Sequence, residues 1–270
     1  MTTANGRTVI DLGTGELAFE LDGAVAWLTF NRPHARNAMT WAMYDGLLTA
    51  CDRVDAEEAI RVLILRGAGD QAFVAGTDIT QFQAFTTADD ALAYERNVNR
   101  FVSRLEAVRK PTIAMIRGYC VGGGAALAAA CDLRIAGQDA KFGAPIARTL
   151  GNTLSAQNLA RLMALLGPAR TKEILFTARF IGADEGHAIG LFNQVVAADQ
   201  LETRTRELAA RIAGHAPLTL RAIKETVRRV LASESVEEPT DLYLLCYLSQ
   251  DFKEGVSAFL EKRPPQWRGR

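Results

Sequence analysis

An excess of charge of either sign is absent from this chain, because 31 Lys and Arg side chains balance 31 Asp and Glu side chains in 270 residues. The balance gives no indication of a basic surface for nucleic acid or of an anchor for acidic membranes. No apolar run approaches the length that spans a bilayer, and the N-terminal MTTANGRTVI lacks the pattern of a secretory signal. We therefore expect a cytoplasmic protein with neither a nucleic-acid partner nor a membrane span.

Metal-binding patterns are also missing. The four cysteines form no CxxC pair, and the three histidines form no HxxxH or HxxE arrangement. The sequence therefore predicts a reduced protein with no metal site.

What the chain does have is 49% hydrophobic residues, enough for one large core. Alternating residues on either side of Asp22-Gly23 predict a hairpin over 16–30. Beyond it, apolar runs and helical periodicities follow one another in the order strand, strand, helix, and this order repeats. The pattern favours an α/β fold with layers of sheet and helix. After residue 198 no strand is predicted, and the chain is expected to form helices over 199–214, 217–232, 237–250 and 251–262.

The most informative stretch is GYCVGGGAALAAACD at 118–132, where three glycines lead directly into a helix of small residues. Without Cβ atoms, a turn lets another group reach the backbone. The first N–H groups of the helix have no intrahelical partner and favour negative charge. A tight strand-to-helix turn packed against a sheet would explain the same residues, because isolated glycine motifs are weak signals.

A second segment, AFVAGTDI at 72–79, separates these alternatives. Together with GAVAWLTFNRPHARNA at 23–38, KPTIAMIRGYCVGGG at 110–124, AKFGAP at 140–145 and FKEGVSAFLEKRPPQW at 252–267, it resembles the crotonase superfamily, the enoyl-CoA hydratase/isomerase family. The resemblance implies a spiral of ββα units over 1–198 that holds an acyl-CoA pocket. It also implies a helical tail over 199–270, which would assemble the chain into a homotrimer or hexamer and contact CoA.

The resemblance also implies where the ligand binds. The backbone N–H groups of Thr77 and Gly123 would form an oxyanion hole for the thioester oxygen, where losing one donor typically costs about 3 kcal/mol. The other positions carried over as substrate or CoA contacts are Arg36, Ala38, Ala75, Asp78, Ile79 and Lys262, with Arg263 a weaker candidate. Asp78 has a second interpretation as the cap of a short turn. No cofactor is expected beyond the CoA thioester itself.

Two positions argue against the usual chemistry of the family. Hydratases of this family use two glutamates, whose pKa values burial can raise toward neutrality. Here the corresponding positions carry Ala126 and Ile146, and moving the second position by one residue gives Ala147. None of these side chains can carry a proton, so neither the two-glutamate hydration nor the one-glutamate isomerisation mechanism is supported.

The segment after Ile146 is polar but almost free of titrating groups. Asn152 or Ser155 is expected to cap the helix that begins near Ala156, although Asn152 is also a candidate polar group of the pocket. Arg148 would either pair with an acid of the chain or face a carboxylate of the substrate.

Two classes of function remain open. In one, the chain is an enzyme labelled as an enoyl-CoA hydratase/isomerase of fatty-acid metabolism, which stabilises a thioester enolate in a lyase, isomerase or thioester-hydrolase reaction. In the other, it binds acyl-CoA without turnover. In either class an apolar face with no core of its own is expected to assemble subunits, and it comprises Leu242, Leu244, Leu245, Leu248 and Phe252.

Overall fold

A computed structural model of the chain describes residues 2–4, 7–231, 240, 244 and 247–266. Its strands are β1 (Thr2–Ala4), β2 (Arg7–Ile10), β3 (Leu17–Asp22), β4 (Val25–Phe30), β5 (Val62–Gly67), β6 (Ala72–Val74), β7 (Thr112–Ile116), β8 (Tyr119–Val121), β9 (Leu133–Gly137), β10 (Lys141–Gly143), β11 (Ile181–Gly182) and β12 (Gln194–Val196). Its helices are α1 (Trp41–Ala56), α2 (Ala88–Glu106), α3 (Gly123–Ala130), α4 (Ile146–Thr149), α5 (Ala156–Thr177), α6 (Ala183–Ala188), α7 (Leu201–Ala213), α8 (Pro217–Leu231) and α9 (Gln250–Leu260), with 3₁₀ turns at Pro33–Ala35 and Ile79–Ala84.

The strands form two sheets. The larger sheet has the order β1-β2-β3-β4-β5-β7-β9-β12, and the smaller has the order β11-β10-β8-β6. The predicted hairpin is present, since β3 and β4 pair antiparallel from Leu17 opposite Phe30 to Asp22 opposite Val25. From β4 to β12 the larger sheet is parallel.

The repeated strand pairs connect the two sheets. In each of the pairs β5/β6, β7/β8 and β9/β10, the first strand joins the larger sheet and the second joins the smaller one. A helix follows each pair, so the chain advances by one strand in both sheets with every repeat. Because β6, β8 and β10 are parallel neighbours, the loops at their carboxyl ends meet at one edge of the smaller sheet.

Helices α1 and α2 begin at well-formed caps. The Thr40 side chain accepts a hydrogen bond from the Met43 N–H, and Thr87 and Asp90 form a reciprocal capping box. From these starts each helix buries one face in the core that lies between the sheets. The inward residues of α2 include Tyr94 and Phe101, which reach toward α1.

A second apolar cluster lies on the outer face of the larger sheet. Helix α7 covers this face, and its Leu201 and Ala209 are buried with Trp27, Val62 and Ile64 of the strands. The helix predicted over 199–214 therefore corresponds to α7, which packs against the larger sheet.

The rest of the predicted tail gives a mixed result. Helix α8 begins at Pro217, which suits a first helical position, while the expected helix over 237–250 lies mostly outside the described residues, as do Leu242 and Leu245. Leu248 is exposed, but the expectation for Phe252 was wrong. Phe252 is 3% exposed, because its ring packs against Tyr247 and Phe82 of the same chain, with centroids 4.8 and 5.9 Å away. No helix in the described ranges is long and apolar enough to cross a membrane.

Helix α3 lies unusually close to strand β6. A Cβ atom placed on Gly124 would stand 2.0 Å from the Val74 carbonyl oxygen, which no side-chain rearrangement can relieve. Residue 124 must therefore be glycine if α3 is to begin where it does.

We predict that Gly124→Ala destabilises the protein strongly, because the methyl group meets backbone atoms. The free energy of unfolding should fall by about 3 kcal/mol or more, the upper end of what overpacking typically costs. Gly15→Ala is the matched control, since an added Cβ there has no neighbour within 4 Å. The control should change stability by less than about 1 kcal/mol in a urea titration. Equal midpoints for the two variants would contradict the close approach.

Candidate active site

The two predicted donor loops lie side by side. One follows β6 and contains Gly76 and Thr77, and the other follows β8 and opens α3 at Gly123. A Cβ placed on Gly123 would stand 3.6 Å from the Gly76 carbonyl carbon, the atom to which the Thr77 nitrogen is bonded. The structure therefore brings the backbones of Thr77 and Gly123 together, as the resemblance implies.

Within the described residues, neither the Thr77 N–H nor the Gly123 N–H is used by the fold. The Met39 N–H donates to the Gly76 oxygen (2.8 Å) and the Asp78 N–H donates to the Met39 oxygen (2.9 Å), so Thr77 lies between two bonds without joining either. Gly123 is the first residue of α3, after the Gly122 N–H has donated to the Gly143 oxygen (2.9 Å). Within the described residues, no carbonyl accepts a hydrogen bond from the Thr77 or Gly123 N–H.

Glycine conformation produces this exposure. Gly76 has φ +108° and Gly122 has φ +57°, both in the region that side chains disfavour. Their turns pass close to each other, since a Cβ on Gly122 would stand 3.7 Å from the Gly76 Cα. The Gly123 N–H at the start of α3 and the Thr77 N–H in the neighbouring loop would together stabilise negative charge on a ligand oxygen.

Two phenols hold the Thr77 side chain by hydrogen bonds. Its Oγ1 lies 2.9 Å from Tyr44 Oη and 3.0 Å from Tyr94 Oη. Burial raises the pKa of Tyr44 to about 12, with the Thr77 hydrogen bond opposing the shift and the charge of Glu95 adding to it. Burial likewise raises the pKa of Tyr94 well above its ordinary value. Both phenols are therefore neutral hydrogen-bond donors at neutral pH.

The neighbouring loop, which carries Arg36 and Ala38, is held by a buried asparagine. The Asn37 side chain donates to the carbonyl oxygens of Ala68 (3.0 Å) and Ala72 (2.8 Å) and accepts from the Arg32 N–H (3.0 Å). Arg36 itself is exposed, and its guanidinium lies over the Tyr119 ring. The Ala75 N–H donates to the Arg36 oxygen (3.1 Å), which joins this loop to the donor loop.

Asp78 fastens the far side of the Thr77 loop. Its side chain accepts from the Thr80 N–H (3.1 Å) at the start of the 3₁₀ turn that contains Ile79, which confirms the predicted cap. It also pairs with Arg32 at 3.1 Å. Burial alone would raise the pKa of Asp78, but hydrogen bonds from Thr80 and Arg32 outweigh it and hold the pKa below its ordinary value. Asp78 is therefore an anion that orients the loop.

The two positions expected to correspond to the family's glutamates are Ala126 and Ile146. Ala126 lies one turn into α3, 6% exposed, and its N–H donates to the Gly122 oxygen (3.1 Å). Ile146 is half-buried at the start of α4. Arg148 is exposed, and no carboxylate in the described ranges lies within ion-pair distance of its guanidinium. The expected pairing of Arg148 with an acid is therefore absent from this part of the chain.

Asn152 and Ser155 were both candidates for the cap of α5, and the structure gives them different roles. Ser155 caps α5 by accepting from the Asn158 N–H (3.2 Å), as predicted. The Asn152 amide instead donates to Tyr247 Oη (3.3 Å), and that hydroxyl donates to the buried carboxylate of Glu95. Asn152 thus connects the C-terminal part of the chain to helix α2.

Within the described residues, the C-terminal basic side chains take no part in the hydrogen bonds described above. Lys262 is exposed just after α9, and Arg263 pairs with Glu254 (2.6 Å) and Glu261 (2.7 Å). The roles of Lys262 and Arg36 toward CoA stay predictions. Among the residues that the structure describes, no His, Cys, Asp and Glu side chains converge as a metal-binding group.

Sequence reasoning missed the residues that hold the donors in place. Tyr44 and Tyr94 lie outside the motifs of the family, while Arg32 and Asn37 lie within the segment 23–38 but were given no role there. A cavity of about 240 Å³ between the end of α2 and helix α8 shares no residue with the site.

Comparison with known proteins agrees with the fold. The family description Enoyl-CoA hydratase/isomerase matches residues 20–270. The chain is 36% identical over 250 residues to a crotonyl-CoA hydratase of Syntrophomonas wolfei, which covers 92% of this chain and 95% of that protein. These similarities, with those of solved structures below, confirm the α/β spiral fold.

Two solved structures cover 96% of the chain. An enoyl-CoA hydratase/carnithine racemase from Magnetospirillum magneticum is 35% identical, with a TM-score of 0.78 and 97% of its own chain covered. A methylmalonyl-CoA decarboxylase in complex with 2S-carboxypropyl-CoA is 29% identical, with a TM-score of 0.87 and 100% of its own chain covered.

Proposed function

Because the chain belongs to the enoyl-CoA hydratase/isomerase family of the crotonase superfamily, we propose that it binds an acyl-CoA thioester and catalyses a reaction through the thioester enolate. The carbonyl oxygen would accept hydrogen bonds from the N–H groups of Thr77 and Gly123. The observation that supports this best is the pair of adjacent backbone donors that no other described group uses.

The chemistry follows from where charge develops. As a thioester becomes an enolate, negative charge grows on its oxygen, and donors already in place stabilise it without reorganising. Gly123 adds the positive end of the α3 dipole to its hydrogen bond. Arg36 and Lys262 would meet the phosphates of CoA, because the arginine fork and the lysine ammonium both suit phosphate. The proposed reaction needs no cofactor beyond the CoA thioester itself, and we propose that it takes place in the cytoplasm.

Hydration is the activity named for the relative from Syntrophomonas wolfei. With Ala126 and Ile146 in place of the family's acids, we propose that hydration is slow here. Each missing acid or base typically removes about 10²–10⁴ in rate. An enolate reaction that needs no carboxylate base is therefore the better candidate.

Loss of CO₂ from a 2-carboxyacyl-CoA is a second candidate. The decarboxylase structure superposes with a higher TM-score than the hydratase/racemase, 0.87 against 0.78. Decarboxylation needs no base, since the electrons of the breaking C–C bond pass directly into the thioester. Apolar side chains such as Ala126 and Ile146 would also leave the substrate carboxylate poorly solvated, which favours its loss.

Two variants test the proposed donors. Thr77→Pro removes one N–H, and Gly123→Val blocks the approach to the other. We expect each to weaken crotonyl-CoA binding about tenfold in calorimetry and to lower turnover of crotonyl-CoA or methylmalonyl-CoA about 10²–10³-fold. Thr77→Ala and Gly15→Val are the controls for binding, because both keep the two donors. Variants that fold, bind and react as the parent does would refute the proposal, and binding without any turnover by the parent would support a carrier.

Restoring the acids tests the mechanism. Ala126→Glu with Ile146→Glu should produce a detectable gain of crotonyl-CoA hydration from a low baseline. The gain should be partial, because the surroundings were not shaped to hold two carboxylates at catalytic pKa values. Burying them should also reduce stability by roughly a few kcal/mol, so rates must be compared at equal folded concentration.

Outcomes of two kinds would count against this reasoning. A folded double variant that binds acyl-CoA without any gain would mean that the pocket shape sets the chemistry. Parent hydration at the level of two-glutamate relatives would mean that another group replaces the acids.

Assembly into a homotrimer or hexamer stays part of the proposal. Four exposed apolar residues of α8 share one side of an amphipathic helix, and they are Ile223, Val227, Val230 and Leu231. A face of this kind on a surface helix usually meets another chain. Light scattering at micromolar concentration should give a mass of three or six chains, and a monomer mass would contradict the proposal.

A further inference from the structure

The hydroxyl groups of Tyr44, Thr77 and Tyr94 form a chain of hydrogen bonds beside the proposed oxyanion hole. The two contacts of Thr77 Oγ1, 2.9 Å to Tyr44 and 3.0 Å to Tyr94, place three oxygens in a row. Tyr44 is 1% exposed and Tyr94 is 9% exposed, while Thr77 is only half-buried. The accessible residue, Thr77, is therefore the middle member of the row, and a buried phenol stands at each end.

The row carries one hydroxyl hydrogen more than its internal hydrogen bonds use. Three hydroxyls carry three hydrogens, and the two contacts between them use two. In the described part of the chain, neither phenol oxygen has a hydrogen-bond partner other than Thr77. A buried hydroxyl without an acceptor costs free energy, so the third hydrogen needs a place where an acceptor can arrive.

The surroundings decide which oxygen carries the spare hydrogen. Both phenols pack against aromatic rings: Tyr94 against Phe82 (4.8 Å between centroids) and Trp41 (5.9 Å), and Tyr44 against Phe101 (4.8 Å) and Trp41 (5.8 Å). What distinguishes Tyr44 is that its Oη borders the donor loop, 3.2 Å from the position of a Cβ on Gly123. The favoured order is therefore Tyr94 donating to Thr77, Thr77 donating to Tyr44, and Tyr44 donating toward the ligand space, with each bond polarising the next.

Resting on the proposed enolate reaction, we infer that Tyr44 is the acid that protonates C2 of the acyl group, in place of a family glutamate. An acyl oxygen held by Thr77 and Gly123 would have C2 only two bonds away, and Tyr44 Oη lies beside both of these residues. Thr77 then has two roles: its N–H holds the enolate oxygen, and its hydroxyl supports the phenol.

The proton step balances for loss of CO₂. When the bond between C2 and the carboxylate breaks, its electron pair enters the thioester and forms the enolate. The C2 electron pair then takes the Tyr44 hydrogen, so that a C2–H bond forms while the Oη–H bond breaks. The phenolate left on Tyr44 accepts a hydrogen bond from Thr77 and regains a proton from water as the products leave. Each turnover consumes one solvent proton.

The state of the phenol agrees with this role. Because burial, partly opposed by the Thr77 hydrogen bond, raises the pKa of Tyr44 to about 12, the group is fully protonated at neutral pH. A neutral acid can approach a substrate carboxylate without the repulsion that a second carboxylate would exert.

Stereochemistry in heavy water provides the test. With methylmalonyl-CoA or crotonyl-CoA as the probe, the parent should place deuterium on one face of C2, because one hydroxyl delivers it. Tyr44→Phe should divide the label about evenly between the faces, since water replaces the phenol, and should slow turnover about 10²–10⁴-fold. Tyr247→Phe is the matched control: it removes another buried phenol of the same aromatic cluster, and its labelling should stay on one face.

A second pair of variants separates support from folding. Thr77→Val keeps the N–H but removes the hydroxyl, and Thr77→Ser keeps both groups. We expect a roughly tenfold or larger loss of turnover for the valine variant, near-parental turnover for serine, and crotonyl-CoA binding within about threefold of the parent for both.

The outcomes distinguish failure of the inferred role of Tyr44 from failure of the proposed enolate reaction. Labelling of one face by folded Tyr44→Phe, or equal turnover by Thr77→Val and Thr77→Ser, would overturn the inference while leaving the enolate reaction intact. A parent that turns over neither probe, or a Thr77→Pro variant as active as the parent, would overturn the proposed function and the inference with it.

Discussion

The contact between the start of helix α3 and the end of strand β6 is the constraint on which the site depends. The Val74 carbonyl oxygen occupies the space in which any other residue at position 124 would place its Cβ. Because of this contact, the first N–H of α3 lies beside the loop that carries Thr77. The parallel pairing of β6 and β8 brings both loops to the same edge of the sheet, so two free donors converge without any catalytic side chain.

The side chains around this backbone arrangement divide into two groups. Arg32, Asn37 and Asp78 fix the loops from outside through charged and amide hydrogen bonds. Tyr44 and Tyr94 fix Thr77 from inside, where aromatic rings exclude water and strengthen each hydrogen bond. The donors are thus set rigidly in place, which is the condition for stabilising charge that appears only during the reaction.

Under the proposed function, this chain would differ from glutamate-bearing hydratases in its proton-transfer groups, with Ala126 and Ile146 at the positions expected for the acids. The close contact between α3 and β6 is made by Gly124 and the Val74 backbone. A family can in this way keep one means of stabilising an enolate while the reactions that form and consume the enolate change. The neutral hydroxyls beside the donors suit a reaction that needs an acid but no base.

The sequence by itself determined the family, the order of strand, strand and helix and the hairpin at Asp22-Gly23, because each depends on residues close together in the chain, and it offered the caps at Asp78 and Ser155 among two interpretations each. It also predicted Thr77 and Gly123 as donors, since their motifs are local, and that role stays a prediction. Only the tertiary structure decided that Tyr44 and Tyr94, which are 50 residues apart, share Thr77, and that Phe252 is buried in its own chain. Such contacts depend on how α1, α2 and α9 pack around one core, and periodicity gives the buried face of a helix without specifying which residue it meets.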